Sequence, residues 1–112
     1  MKIIRERISK QELQQIADED YGNYVKAVVD IENEIIAIGG EMHSDEEALL
    51  MDNGSKQNDL WGINIYPEKP NEERVEFDSM INMRPSWGNR SRGVENPEIK
   101  VEIIEVVNKL IE

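Results

Sequence analysis

The chain has 112 residues, of which 38% are hydrophobic, and it carries a net charge of −11 and no cysteine. This length suits one domain, residues 1–112, and the lack of cysteine excludes disulfides, thiolate metal sites and cysteine nucleophiles. The acidic balance disfavours nucleic acid and anionic membrane surfaces as partners, because both bind through basic surfaces. No apolar run approaches the roughly 18 residues of a membrane span, and the N-terminus lacks a signal-peptide pattern, so we expect a cytoplasmic protein.

The first clear local signal is a helix over residues 10–20, which follows a short strand within residues 2–7. Ser9 and Glu12 have the spacing of a capping box, in which the serine oxygen accepts a hydrogen bond from a free amide of the first helical turn. Gly22 suits the position just after the helix end. We therefore predict an amphipathic N-terminal helix.

The middle of the chain predicts two β-hairpins. In the first, residues 25–31 alternate apolar and polar side chains, residues 35–40 read IIAIGG, and a turn at residues 32–34 joins them. In the second, the segment LWGINIY at residues 60–66 is followed by a polar turn with two prolines and by alternating residues 75–83. The period of two indicates strands with one buried face.

Residues 44–54 fit either a helix or a strand. Ser44 and Glu47 have capping-box spacing, and Gly54 suits the end of a short helix. Residues 48–52 fit equally a strand that leaves at an Asn-Gly turn and pairs with the strand that follows. We favour the strand, because turn signals bound the apolar run and a strongly strand-like segment comes next.

A second helix is predicted at the C-terminal end, where Asn96 is placed as the N-cap and Pro97 as the first helical residue. Its apolar residues recur with the helical period up to about residue 111. The order of elements predicts an α+β fold: an antiparallel or mixed sheet of about four to six strands built from hairpins, with the N-terminal and the C-terminal helix packed on one face.

A family resemblance rests on three stretches, GGEMHSDEEALLMDNGS, DLWGINIYP and FDSMINMRPSWGNRS. They are similar to a family of small prokaryotic proteins of unknown function, and helical ends of the same character extend the resemblance over nearly the full length. Because that family is uncharacterised, the resemblance implies a compact single-domain fold and no activity, substrate or catalytic residue.

The segment SMINMRPSWGNRSRGV, residues 79–94, stands out by its charge. It holds three arginines and no acid, while the other 96 residues carry −14. The planar guanidinium of arginine suits carboxylates and phosphates. We therefore predict a ligand-binding loop in which the arginines contact an anion, short polar side chains add hydrogen bonds and an indole shields them. Its residues are Arg84, Trp87, Asn89, Arg90, Ser91 and Arg92. The alternative is that the arginines pair with acids of the same chain.

The candidate catalytic residues are His43 and Asp45. Their spacing would let the carboxylate orient the imidazole for general-base work, although the histidine fits equally well in a solvated acidic turn. A single histidine with local acids is a weak metal signal, so we predict no metal site. No cofactor is predicted either, since no phosphate loop, dinucleotide fingerprint, nucleophile elbow or zinc motif is present.

The leading hypothesis is a small binding or regulatory domain that recognises an anionic small molecule or an acidic protein partner through the loop at residues 84–92. One alternative is a hydrolase-like enzyme in which His43 is the base and the arginines hold negative charge in the transition state. The other is an acidic protein-interaction module whose arginines are purely structural. The sequence does not discriminate among the three, and it does not indicate the ligand or the oligomeric state.

Overall fold

Five strands form one antiparallel sheet, and helices lie on both of its faces. The structure, a computed structural model, describes all residues from 1 to 112. In chain order its elements are β1 (Lys2–Ile4), α1 (Lys10–Glu19), β2 (Val25–Asp30), β3 (Ile35–Ile38), α2 (His43–Asp52), β4 (Leu60–Ile65), β5 (Val75–Glu76) and α3 (Pro97–Leu110). The strand order is β1-β3-β2-β4-β5, and every pair is antiparallel. The predicted α+β class is confirmed.

One face of the sheet is covered by α1 and α3, as predicted for the two terminal helices. The main core lies between them and the sheet, and it contains alternate residues of β2, β3 and β4. The helices contribute Leu13 and Ala17 from α1 and Ile103, Val106, Val107 and Leu110 from α3. Because side chains of a strand alternate between its faces, the remaining strand residues need a second cover.

Helix α2 provides that cover on the opposite face of the sheet. A smaller core there contains Val28, Ile35, Ala37, Leu50 and Leu60, all buried. The molecule therefore has three layers, with the sheet in the middle. None of the three helices has the length and apolar character that a membrane crossing requires.

The predicted helix starts of α1 and α3 are confirmed in their capping contacts. The Ser9 hydroxyl accepts a hydrogen bond from the Glu12 amide at 3.0 Å. At α3, the Asn96 side chain accepts from the Glu98 amide at 2.8 Å, and Pro97 occupies the first helical turn. Each cap satisfies an amide that has no partner within the helix.

The strand favoured within residues 44–54 is wrong, because the chain forms α2 there. Its buried residues are His43, Glu46 and Leu50, at the spacing i, i+3 and i+7 of one helical face. Two of the three are polar, so hydropathy does not reveal the helical period. The predicted capping box is also absent: the N-cap is Met42, without a side-chain hydrogen bond, which places Ser44 inside the helix.

The strand predicted over residues 75–83 is also too long. Strand β5 contains only Val75 and Glu76, which pair with Ile65 and Asn64 of β4. Beyond it the chain leaves the sheet and forms short 3-10 helices at Met80–Asn82 and Pro85–Trp87. Burial no longer follows the alternation of the sequence there, since Ser79 and Asn82 are buried whereas Met80 and Met83 are exposed.

The two ends of the chain are bonded to each other. Ile8 and Ile111 form an isolated parallel bridge, in which the Ile8 amide donates to Leu110 O at 2.8 Å and the Glu112 amide donates to Ile8 O at 3.0 Å. The guanidinium of Arg74, which is only 1% exposed, donates to the carbonyl oxygens of Ile111 and Glu112. A side chain from the middle of the chain thus holds the C-terminal residues in place.

Candidate functional site

Residues 79–94, which we call the arginine loop, cover the outer edge of β4. Where β5 has ended, Asn82 replaces a neighbouring strand: its side chain accepts from the Gly62 amide at 2.8 Å and donates to Gly62 O at 2.9 Å. Two residues away on β4, the Arg84 side chain donates a hydrogen bond to Leu60 O. Side chains thus satisfy backbone groups that an edge strand would otherwise expose.

A second buried asparagine gives the arginine loop its shape. The Asn89 side-chain nitrogen donates to the carbonyl oxygens of Asn82, Ser91 and Gly93 at 2.7, 3.2 and 2.8 Å. Its side-chain oxygen accepts from the Glu95 amide at 2.8 Å. Asn89 is 4% exposed, and both its side-chain nitrogen and its side-chain oxygen have partners within the chain. It therefore positions the loop.

Arg84 is buried between the two tryptophans of the protein. Its guanidinium carbon lies 4.8 Å from the ring centre of Trp61 and 5.2 Å from that of Trp87. Its Nη2 is 3.5 Å from a carboxylate oxygen of Glu47, whereas its buried Nη1 has no hydrogen-bond partner. Burial lowers the pKa of this guanidinium and the Glu47 carboxylate opposes that change. These contacts fix the position of the Trp87 ring.

The other two arginines are exposed and differ in their partners. Arg92 forms an ion pair with Asp78, with 2.7 Å between Nε and Oδ1. The Arg90 side chain makes no hydrogen bond and no ion pair, but its backbone amide and that of Ser91 both donate to the Glu95 carboxylate. These two hydrogen bonds hold the pKa of the Glu95 carboxyl below its usual range, and the positive charge of Arg90 adds to the effect.

A cleft of about 570 Å³ lies between the arginine loop and the first turns of α3. It is lined by Asn58, Trp61, Trp87, Gly88, Asn89, Glu95, Asn96 and Ile99, and we call it the tryptophan cleft. Trp61 is 5% exposed, and its Nε1 is buried without an acceptor. Trp87, by contrast, is 54% exposed. The cleft thus combines an open indole surface with an unpaired buried donor.

On its other flank Trp87 borders a smaller hollow of about 390 Å³. Arg84, Glu47 and the methionines at positions 80 and 83 contribute to that hollow. The short helix Pro85–Trp87 therefore forms a ridge between two concave surfaces.

The structure does not bring His43 and Asp45 together. The His43 Nε2 lies 2.7 Å from Ile63 O, and because a carbonyl only accepts, this nitrogen carries the proton. Burial lowers the pKa of the imidazole, which favours its neutral form. Asp45 is exposed and lines a separate hollow beside Met1 and Gly40. Neither residue lines the tryptophan cleft.

Several residues of the site were not among the sequence predictions. Glu95 lies just beyond the predicted loop, and Asn58 belongs to a connection whose sequence carries no distinct signal. Trp61 lies in the segment predicted as a strand with one buried face, and it belongs to the main core. An alternating pattern tells which face a side chain occupies, whereas the position of one indole edge depends on tertiary packing.

These features define a small α+β protein with a concave, ligand-sized surface beside an arginine loop. A family model described as "Protein of unknown function (DUF5674)" matches residues 2–110. The chain therefore belongs to this family, and the resemblance to an uncharacterised family is confirmed. No curated protein and no solved structure matches the chain.

Proposed function

We propose that this protein is a small binding domain that recognises an anionic small molecule at the arginine loop. The observation that carries the proposal is the tryptophan cleft next to Arg90, the one arginine of the loop without an acidic partner. Its volume of about 570 Å³ falls within the range of small-molecule sites, roughly 300–1,000 Å³.

The charge distribution supports Arg90 as the main contact for the anion. In a protein of net charge −11, an anion is repelled except where positive charge is locally in excess. The Arg90 guanidinium is exposed and keeps all its donors free, so it can bind a carboxylate or phosphate bidentately. The backbone amide of Arg90 donates to the Glu95 carboxylate, so Arg90 lies next to a residue that lines the cleft.

The remaining predicted residues take different parts in this proposal. Arg92 can join the site by leaving Asp78, because an exposed ion pair contributes only about 0–1 kcal/mol. Arg84 and Asn89 act indirectly: the first holds the Trp87 ring and the second holds the loop. Ser91 is exposed and can add a hydrogen bond.

Calorimetric titration with inorganic phosphate, citrate and nucleoside monophosphates tests the proposal. We expect at least one of these anions to bind, and the variant Arg90→Gln to bind it about ten- to a hundredfold more weakly, because a hydrogen bond to a charged group is lost.

The matched control is Arg92→Gln, which removes the same charge from a residue that already has an acidic partner. It should weaken binding less than Arg90→Gln does. The proposal fails if no anion of the panel binds, or if Arg90→Gln binds as tightly as the unmodified protein.

A further inference from the structure

We propose that the tryptophan cleft binds a nucleobase-like heteroaromatic ring, so that the anionic molecule recognised by this protein is a nucleoside monophosphate. The inference rests on the proposed function, and it adds the chemistry of the part of the ligand that enters the cleft. It stands on three features of the cleft wall: an open indole face, a buried donor and an ionised acceptor.

The indole of Trp87 offers a stacking surface. Arg84 packs against one face of the ring, and with 54% of the residue exposed the opposite side remains open. The Trp87 ring is positioned before a ligand binds, because Arg84 donates a hydrogen bond to Leu60 O and forms an ion pair with Glu47. Bases stack well on such rings, and a ring that is already positioned loses little freedom when a ligand binds.

Trp61 provides the hydrogen-bond donor. Its Nε1 can only donate, it is buried, and no atom of the chain accepts from it. Buried donors in folded proteins are almost always paired. Trp61 lines the cleft, so a small shift of the cleft wall is enough for an acceptor atom of a ligand to pair with this buried nitrogen. A ring nitrogen or an exocyclic carbonyl of a base is such an acceptor.

Glu95 provides the acceptor. One of its carboxylate oxygens accepts hydrogen bonds from the amides of Arg90 and Ser91, and the other accepts none from the backbone. The free oxygen accepts from an amino or imino group and repels a negatively charged ring substituent. The cleft therefore selects a neutral ring that carries both a donor and an acceptor on its edge, which is the defining pattern of nucleobases.

The same two amide contacts join the ring subsite to the anion subsite. By holding the backbone at Arg90 against Glu95, they place Arg90 next to a residue of the cleft wall, from which its long side chain can reach a ligand in the cleft. A ligand that fills both subsites needs a ring and an anionic group separated by a short linker, as in a nucleoside monophosphate. A longer nucleic acid is disfavoured, because the protein as a whole carries a net charge of −11.

Titration of the protein with AMP, CMP, adenosine and ribose 5-phosphate tests the inference. Both tryptophans line the cleft and the chain has no others, so quenching of tryptophan emission reports binding there, and calorimetry gives the affinity. We expect AMP or CMP to bind at least about tenfold more tightly than ribose 5-phosphate, because only the nucleotides stack. We also expect AMP to bind more tightly than adenosine.

The outcomes separate the two proposals. If ribose 5-phosphate binds as tightly as AMP and CMP, the ring inference is overturned and the anion-binding function stands. If adenosine binds as tightly as AMP, the ring inference stands and the role of the anion is overturned. If none of the four compounds binds, the ring inference is overturned, and the proposed function then depends on phosphate and citrate.

Trp61→Phe tests the donor directly, since it keeps an aromatic ring and removes the N–H group. We expect AMP to bind this variant about tenfold more weakly, while the affinity for ribose 5-phosphate is unchanged. An unchanged affinity for AMP overturns the assignment of Trp61. If Trp61→Phe does not fold, the comparison of AMP with ribose 5-phosphate in the unmodified protein still decides the inference.

Discussion

At the scale of single residues, the side chains of two asparagines make hydrogen bonds that backbone groups usually make. A side-chain amide has a donor and an acceptor in the same arrangement as a peptide group, so Asn82 can pair with Gly62 as a strand residue would. Asn89 closes the arginine loop around three carbonyl oxygens. The loop is thus held by polar side chains that face inward, while Trp87, Arg90 and Arg92 lie at its surface.

Replacing Asn82 with alanine should lower the free energy of unfolding by about 2–4 kcal/mol, because the Gly62 amide and carbonyl lose their partners while buried. Urea denaturation measures this change. Asn71→Ala is the control, since Asn71 is exposed and makes no side-chain hydrogen bond, and it should change stability by less than about 0.5 kcal/mol. A loss below about 1 kcal/mol for Asn82→Ala would contradict the anchoring role.

The contacts of single residues also explain why the sequence specifies the predicted site only in part. The charge anomaly identifies a segment rich in arginine, but it does not tell which arginine is free of an acidic partner. Arg92 pairs with Asp78, 14 residues away, and the acidic partner of Arg84 lies in α2. Such pairings depend on how distant segments pack, and a single sequence with a surplus of acids offers too many candidate partners.

At the scale of elements, the sequence predicted those whose pattern is carried by apolar residues. Helices α1 and α3 and strands β2, β3 and β4 were predicted within one or two residues of their bounds. Helix α2 was missed because its buried face includes a histidine and a glutamate. The end of β5 was missed because an asparagine side chain, rather than backbone, continues the pairing of β4.

The contact between β4 and the arginine loop depends on a glycine. A Cβ atom at Gly62 would lie 2.5 Å from Cβ and 2.6 Å from Oγ of Ser79. Gly62→Ala should therefore push the loop away from the sheet and cost about 1–3 kcal/mol of unfolding free energy, as measured by chemical denaturation.

Gly93→Ala serves as the control for this substitution. A Cβ atom there would meet its nearest neighbour, Phe77 O, at 3.4 Å, and the backbone of Gly93 is not in the left-handed region. We expect a clearly smaller loss than for Gly62→Ala. Equal losses of unfolding free energy for the two variants would show that the close approach to Ser79 is not the cause of the loss in Gly62→Ala.

At the scale of the whole molecule, a buried acid connects stability to pH. Glu46 is fully buried on the inner face of α2. One of its carboxylate oxygens accepts a hydrogen bond from the Gly40 amide at 3.0 Å, and the other has no partner. Burial raises the pKa of this carboxyl from 4.5 to about 9, against a smaller opposing effect of the Gly40 hydrogen bond. The folded protein therefore keeps this proton at neutral pH, whereas the unfolded chain releases it.

The sign of the effect follows from proton binding. Between pH 4.5 and about 9 the folded state binds one more proton at Glu46 than the unfolded state, so this group's contribution to stability falls as pH rises. Glu46→Gln removes the ionisation and keeps the shape. The stability of the unmodified protein minus that of the variant should decrease by on the order of 1 kcal/mol per pH unit.

Urea denaturation of both proteins at about pH 5.5, 7 and 8.5 measures that difference, in which contributions of other groups such as His43 cancel. Glu41→Gln is the matched control, because it makes the same chemical change at an exposed position. A difference that stays constant with pH would mean that Glu46 is ionised in the folded protein.

The bridge between Ile8 and Ile111 has a consequence for cooperativity. The ends of most domains fray independently of each other and of the rest of the fold. Here the amide of Glu112 and the carbonyl of Ile8 form one hydrogen bond, and Arg74 ties the same C-terminal residues to the segment before β5. Opening either end therefore breaks contacts of the other, so the first and last segments belong to a single cooperative unit.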